Sequence, residues 1–141
     1  MIFNFIKKKS KHVEKFDIFS KTASLLIHAA RIDENYTNKE KLIIEKTLIE
    51  LGVEKERLSQ LMINAEKNEK NSNQILDFTR EVKNLPEQNK IKIIKALWSI
   101  IYSNKDADIY ETNLMRRLAG LLYIDSKTMG DIKDKIKKNL E

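Results

Sequence analysis

The sequence predicts an all-α fold, a compact bundle of about seven helices organised around two repeated helix–acidic loop–helix units. Three observations predict it. Apolar residues recur at helical spacing along most of the chain, and no useful length of it shows the strict alternation of a half-buried strand. One Pro and three Gly interrupt the backbone little, which suits helices better than a turn-rich β protein. The chain also echoes itself. Moved by 71 positions, Leu26 falls on Leu97, Asp33 on Asn104, Thr37 on Asp108, Glu40 on Glu111, Ile43 on Leu114 and Leu51 on Leu122.

The elements follow in order. A first helix is expected from about Lys11 to Ile32, with Phe16, Phe19, Ala23, Leu26, Ile27 and Ala30 on one stripe. Thr37 and Glu40 spell T-x-x-E, a capping box, ahead of a second helix with Leu42, Ile43, Leu48 and Leu51 as its apolar residues. Gly52 suits the end of that helix. Residues 54–70 read as a third helix with Leu58, Leu61, Met62 and Ala65 inward. Ser72 is the expected cap of a fourth, whose apolar side is Ile75, Leu76, Phe78 and Val82.

Pro86 fits the first turn of a fifth helix, where its missing N–H costs nothing. That helix runs to about Ser103. Its apolar residues, Ile91, Ile93, Ile94, Leu97, Trp98, Ile100 and Ile101, cover more than one face, which predicts burial on several sides. Asp108 and Glu111 form a second capping box before Leu114, Met115, Leu118 and Leu121. Ser126 is the expected cap of a last helix with Met129, Ile132 and Ile136 inward.

Composition bounds the function. A chain of 141 residues, 41% hydrophobic and 34% charged, is long enough to bury a core and reads as one globular domain. Residues 12–141 form that domain, preceded by a basic tail at 1–11. There is no cysteine, hence no disulfide framework, thiolate metal site or Cys nucleophile. The net charge of +6 sits at the ends, while residues 23–125 carry sixteen basic and sixteen acidic side chains. Nucleic-acid binding needs a concentrated basic face, so no nucleic-acid partner is expected.

The tail can touch an anionic membrane weakly, with Ile2, Phe3, Phe5 and Ile6 inserting and Lys7, Lys8, Lys9 and Lys11 meeting headgroups. Its apolar run is far too short to span a bilayer. The expected location is the cytoplasm, or the periphery of the inner membrane.

Two stretches, LLIHAARIDENYTNKEKLIIEKTLIEL and KALWSIIYSNKDADIYETNLMRRLAGLL, resemble the TerB-like domain family. That family includes the tellurite-resistance protein TerB and the N-terminal domain of the DjlA co-chaperones. The resemblance spans roughly Phe16 to Ile136. It implies a mostly seven-helix fold, a role in membrane-linked stress responses and no assigned catalysis. It also implies a divalent cation, calcium or magnesium, at acidic residues of the two loops. On matching positions these are Asp33 and Glu40 in the first unit and Asn104 and Glu111 in the second. Where the family often has Asp-Gly, this chain has Asp33-Glu34 and Asn104-Lys105, so the second loop loses one carboxylate and gains a cation. Asp106 and Asp108 can compensate with oxygen ligands.

Other motifs are weaker. Asn104, Asp106 and Asp108 spell N-x-D-x-D, but Ile109 and Met115 stand where a calcium-binding EF-hand needs Gly and Glu. His28 reads as a partly exposed flank residue and Trp98 as core. Arg116-Arg117 suits either an anion or a surface ion pair. No Gly-rich phosphate loop, nucleophile elbow or His-Pro-Asp of a J domain is present. The reading is a non-enzymatic adaptor for a protein partner, with Glu34 and Lys105 on the partner surface beside the acidic ligands. The alternative is a membrane-peripheral, co-chaperone-like module without a J domain.

Overall fold

Among the described residues of the chain, seven helices make up the regular structure in the computed structural model. They are α1 (17–30), α2 (Asn38–Leu51), α3 (Lys55–Asn71), α4 (Leu76–Val82), α5 (Glu87–Tyr102), α6 (Ile109–Leu121) and α7 (Ser126–Asn139). The structure describes residues 17–32, 36–71, 75–103 and 109–139, the last stretch in side-chain detail from residue 113, and none of the described residues is in a strand. The expected helical positions 11–16 and the Ser72 cap lie outside them.

The two most apolar helices, α1 and α5, form the centre. Leu25, Leu26 and Ile27 of α1, and Ile93, Ile94, Leu97, Ile100 and Ile101 of α5, are fully buried. Each such side chain contributes about 1.5–3 kcal/mol relative to exposure. Helix α5 packs against both α2 and α7, while α2 also meets α3, and α4 meets α6. Helix α1 is tied to α3 by the Ser24 hydroxyl, which donates to the Ala65 carbonyl at 3.0 Å. It is tied to α4 by Lys21, whose Nζ donates to Glu81 Oε1 at 2.7 Å, a bond that raises the lysine's pKa.

The internal repeat is visible in burial. At the same offset of 71, Ala23 and Ile94, Leu26 and Leu97, Ile27 and Trp98, Ala30 and Ile101, Ile44 and Met115, and Val53 and Ile124 are all core residues. Each half therefore uses the same positions to face inward, although the side chains differ.

The helix ends follow the chemistry of capping, with two local differences from expectation. Thr37 and Glu40 form the predicted capping box, and Gly52 closes α2 in the left-handed region at φ 113°. Pro86 is the residue before α5 rather than within it, and its carbonyl accepts from the Asn89 and Lys90 amides. Asp125, not Ser126, caps α7: its carbonyl accepts from the Met129 amide. A hydrogen bond from Thr128 holds the Asp125 carboxyl below its usual range. Leu42, one of the expected apolar residues of α2, and Leu76, expected on the apolar side of α4, face solvent at 66% and 41% exposure. Residues two apart on a helix lie roughly 200° apart, so burying Ile44 and Phe78 turns Leu42 and Leu76 outward.

Candidate functional site

Arg31 and Ile32 form a turn after α1, and Tyr36 and Thr37 directly precede α2, so these four residues flank the first acidic loop. Both flanks are held by a polar seam between α1 and α3. Helical geometry explains how it forms. His28 on α1 and Arg31 in the turn that continues it are three residues apart, and Glu66 and Glu69 are three apart on α3, so each pair shares a face. The two faces carry complementary charge and meet.

Glu69 is the hub. Its side chain is only 10% exposed, and its Oε2 accepts from Arg31 Nη1 at 2.5 Å. Its Oε1 lies 3.5 Å from Nδ1 of His28. The His28 ring also packs at a tilt against Phe78, with centroids 6.3 Å apart. Arg31 stacks over the Tyr36 ring, 5.3 Å from its centroid. The Tyr36 hydroxyl faces Glu66 Oε1 at 3.4 Å, and Lys41 Nζ lies 3.7 Å from the same oxygen. Burial, reinforced by the Glu66 charge, raises the Tyr36 hydroxyl well above the usual phenol range. It stays a neutral donor to that carboxylate.

Glu40 completes the flank. Its Oε1 accepts from both the backbone N–H and the hydroxyl of Thr37, each at 2.9 Å. The Thr37 Oγ1 accepts in return from the Glu40 amide at 3.1 Å. With Glu40 only 1% exposed, this carboxylate works inside the fold as a helix cap.

The other sequence-predicted site residues are placed as follows. Asp33, Glu34, Asn104, Lys105, Asp106 and Asp108 lie outside the described residues, as do Ile2, Phe3, Phe5, Ile6, Lys7, Lys8, Lys9 and Lys11 of the tail. Glu111 belongs to the first turn of α6, with its side chain outside the described set. Among the described residues no three His, Asp or Glu side chains converge as a metal site would require. No described helix is long and apolar enough to cross a membrane.

Sequence reasoning placed His28 on the helix flank, where it is, but missed its partner Glu69, 41 residues away. The usable signal was the acidic pair at 66 and 69, matching the basic pair at 28 and 31 in spacing and opposite in sign.

A second buried charge was also missed. Lys90 is buried on α5, and its Nζ donates to the Leu122 carbonyl at 3.1 Å, with Glu87 Oε2 at 3.7 Å. It fastens the end of α6 to the start of α5.

A family model described as tellurite resistance protein TerB matches residues 20–134, most of the chain. No curated protein and no solved structure matches it.

Proposed function

The chain belongs to the TerB family, and on that premise we propose that it is a non-enzymatic adaptor in a stress response of the tellurite-resistance type. Its working surface is the pair of acidic loops, with Asp33 and Glu34 in one and Asp106 and Asp108 in the other. Carboxylates gathered on one face repel each other, and a basic partner segment or a divalent cation relieves that repulsion. The observation that supports this reading most is the seam beneath the first loop. Arg31, Tyr36 and Thr37 are each anchored to a carboxylate of α2 or α3, so the loop is carried on fixed ends. Binding residues on loops work best when a rigid scaffold positions them.

Glu40 and Glu69 serve this scaffold, and the loop acids are the groups assigned to the partner. The protein works in the cytoplasm, where an integral membrane partner can reach it. Thermal melts in calcium, magnesium, manganese and zinc test the cation arm: unchanged melting temperature in all four removes it. For the protein arm, the chain is used as bait alongside a variant with Asp33→Asn, Glu34→Gln, Asp106→Asn and Asp108→Asn. A partner retained equally by both rejects the acidic loops as the docking surface.

A further inference from the structure

A groove opens between α5, α6 and α7, on elements separate from the α1–α3 seam. Its cavity volume is about 170 Å³, open to solvent on one side, which is below the usual size range of drug-sized sites and leaves room for a small ligand only. Its walls are apolar, with Met115 from α6 and Met129 from α7 facing Trp98 of α5. Methionine side chains adapt their shape to what they enclose. Gly130 leaves one wall open: a Cβ there meets nothing within 4 Å.

Two features distinguish this groove from a plain packing defect. Trp98 is only 4% exposed, yet its indole N–H has no hydrogen-bond partner among the described residues. A buried indole N–H ordinarily finds an acceptor. The rim is cationic, made by Arg116 and by Lys133, whose Nζ stands 5.5 Å over the Trp98 ring. Neither cation has a carboxylate partner among the described residues, and no acidic side chain is among those lining the groove.

The geometry points to a binding site for a small aliphatic carboxylate. Its hydrocarbon body lies along the apolar lining beside Met115 and Met129, and its carboxylate is held at the rim by Lys133 and Arg116. The combination selects the ligand class. An apolar body alone leaves the two cations unused. A bare inorganic anion leaves the apolar lining of the groove unused. An extended peptide needs a row of main-chain partners, which this short three-helix groove does not supply.

Trp98 is the only tryptophan in the chain, so its fluorescence reports on this groove alone. Octanoate is titrated into the full chain, with octanol and octylamine as matched controls and calorimetry as a second readout. The expected result is saturable binding of octanoate, with octanol and octylamine much weaker. Lys133→Met and Arg116→Gln keep much of the side-chain bulk and each weaken octanoate binding roughly tenfold. Gly130→Leu fills the groove and abolishes binding while the melting temperature holds or rises, as expected when a glycine leaves a helix interior. Octanol binding as tightly as octanoate overturns the assignment, and so does unchanged affinity in both charge variants. Absence of saturable octanoate binding overturns it as well, including the case in which an acidic peptide binds in its place.

Discussion

Gly52 and Tyr123 occupy the same position in the two halves of the chain, and both have positive φ, 113° and 58° respectively. Each follows the end of a helix whose last carbonyls are closed in the same way. The Val53 amide donates to the Leu48 carbonyl at 3.0 Å, and the Ile124 amide to the Ala119 carbonyl at 2.9 Å. This is the left-handed helix cap that glycine adopts without strain. Tyrosine does not, and the Tyr123 ring is 68% exposed, with Lys83 standing 5.8 Å from its centroid.

Tyr123→Gly is therefore expected to stabilise the fold by about 1 kcal/mol, because strain in the left-handed region exceeds the loss of one exposed cation–π contact. Gly52→Ala is expected to destabilise it by about 1 kcal/mol for the same reason. Urea denaturation of the two variants beside the parent chain decides the sign. A destabilised Tyr123→Gly shows that the ring contributes more than the backbone strain costs.

The capping box at the start of α2 makes a second prediction. Thr37→Ala removes the hydroxyl that accepts from the Glu40 amide and costs about 1 kcal/mol. Glu40→Ala costs about 1–2 kcal/mol, since it also strips the Thr37 N–H of its acceptor in a buried place. Glu40→Gln retains an acceptor oxygen and loses less than Glu40→Ala. Equal losses for the two Glu40 substitutions would argue against the hydrogen bond as the cause.

Arg31 and Glu69 are expected to couple. Arg31→Met leaves the Glu69 carboxylate nearly buried without its strongest partner, at a cost of about 2 kcal/mol after allowing for the partial exposure of Arg31. Pairing it with Glu69→Leu removes the stranded charge, so the double variant is more stable than the sum of the single ones implies. A double-mutant cycle by chemical denaturation measures this, and strict additivity contradicts a direct interaction.

Tyr36 gives a pH dependence. Burial and the Glu66 charge make its proton harder to remove in the folded state than in the unfolded chain. Its contribution to stability is complete below about pH 10, where the unfolded phenol titrates, and is lost as pH rises toward the folded value. Tyr36→Phe should flatten the fall in stability above that pH without abolishing it. Tyr102, raised by burial and by Asp134, acts in the same direction. The midpoint of urea unfolding, followed from neutral to alkaline pH for both chains, checks this. Parallel curves remove Tyr36 from the account.

The helices were legible because their signals are local: three- and four-residue spacing, the T-x-x-E at Thr37 and the glycine at position 52 all act within one or two turns. The repeat was legible because helix ends and core positions recur together. Leu42 and Leu76 were misplaced because an apolar residue beside a stripe looks the same whether it faces in or out; the rotation of the helix decides, and that is set by packing. At α7, Asp125 and Ser126 are both good caps, and only the backbone chooses between them. The His28–Arg31–Glu69 seam was hidden for a different reason. Its partners lie on separate helices, and no single-sequence periodicity links residue 28 to residue 69. The open groove beside Trp98 likewise depends on how three helices diverge around one aromatic ring.

The most direct test of the adaptor surface is the distance between its two halves. The chain has no native cysteine, so Glu34→Cys and Lys105→Cys together accept a pair of spin labels at unique sites. Loops that share a face place the labels within roughly 20 Å, well under the ~30 Å diameter of a small domain. A pulsed dipolar measurement giving that short separation is the predicted result. A separation of about 30 Å or more puts the loops on opposite sides of the bundle, and the common acidic surface then does not exist.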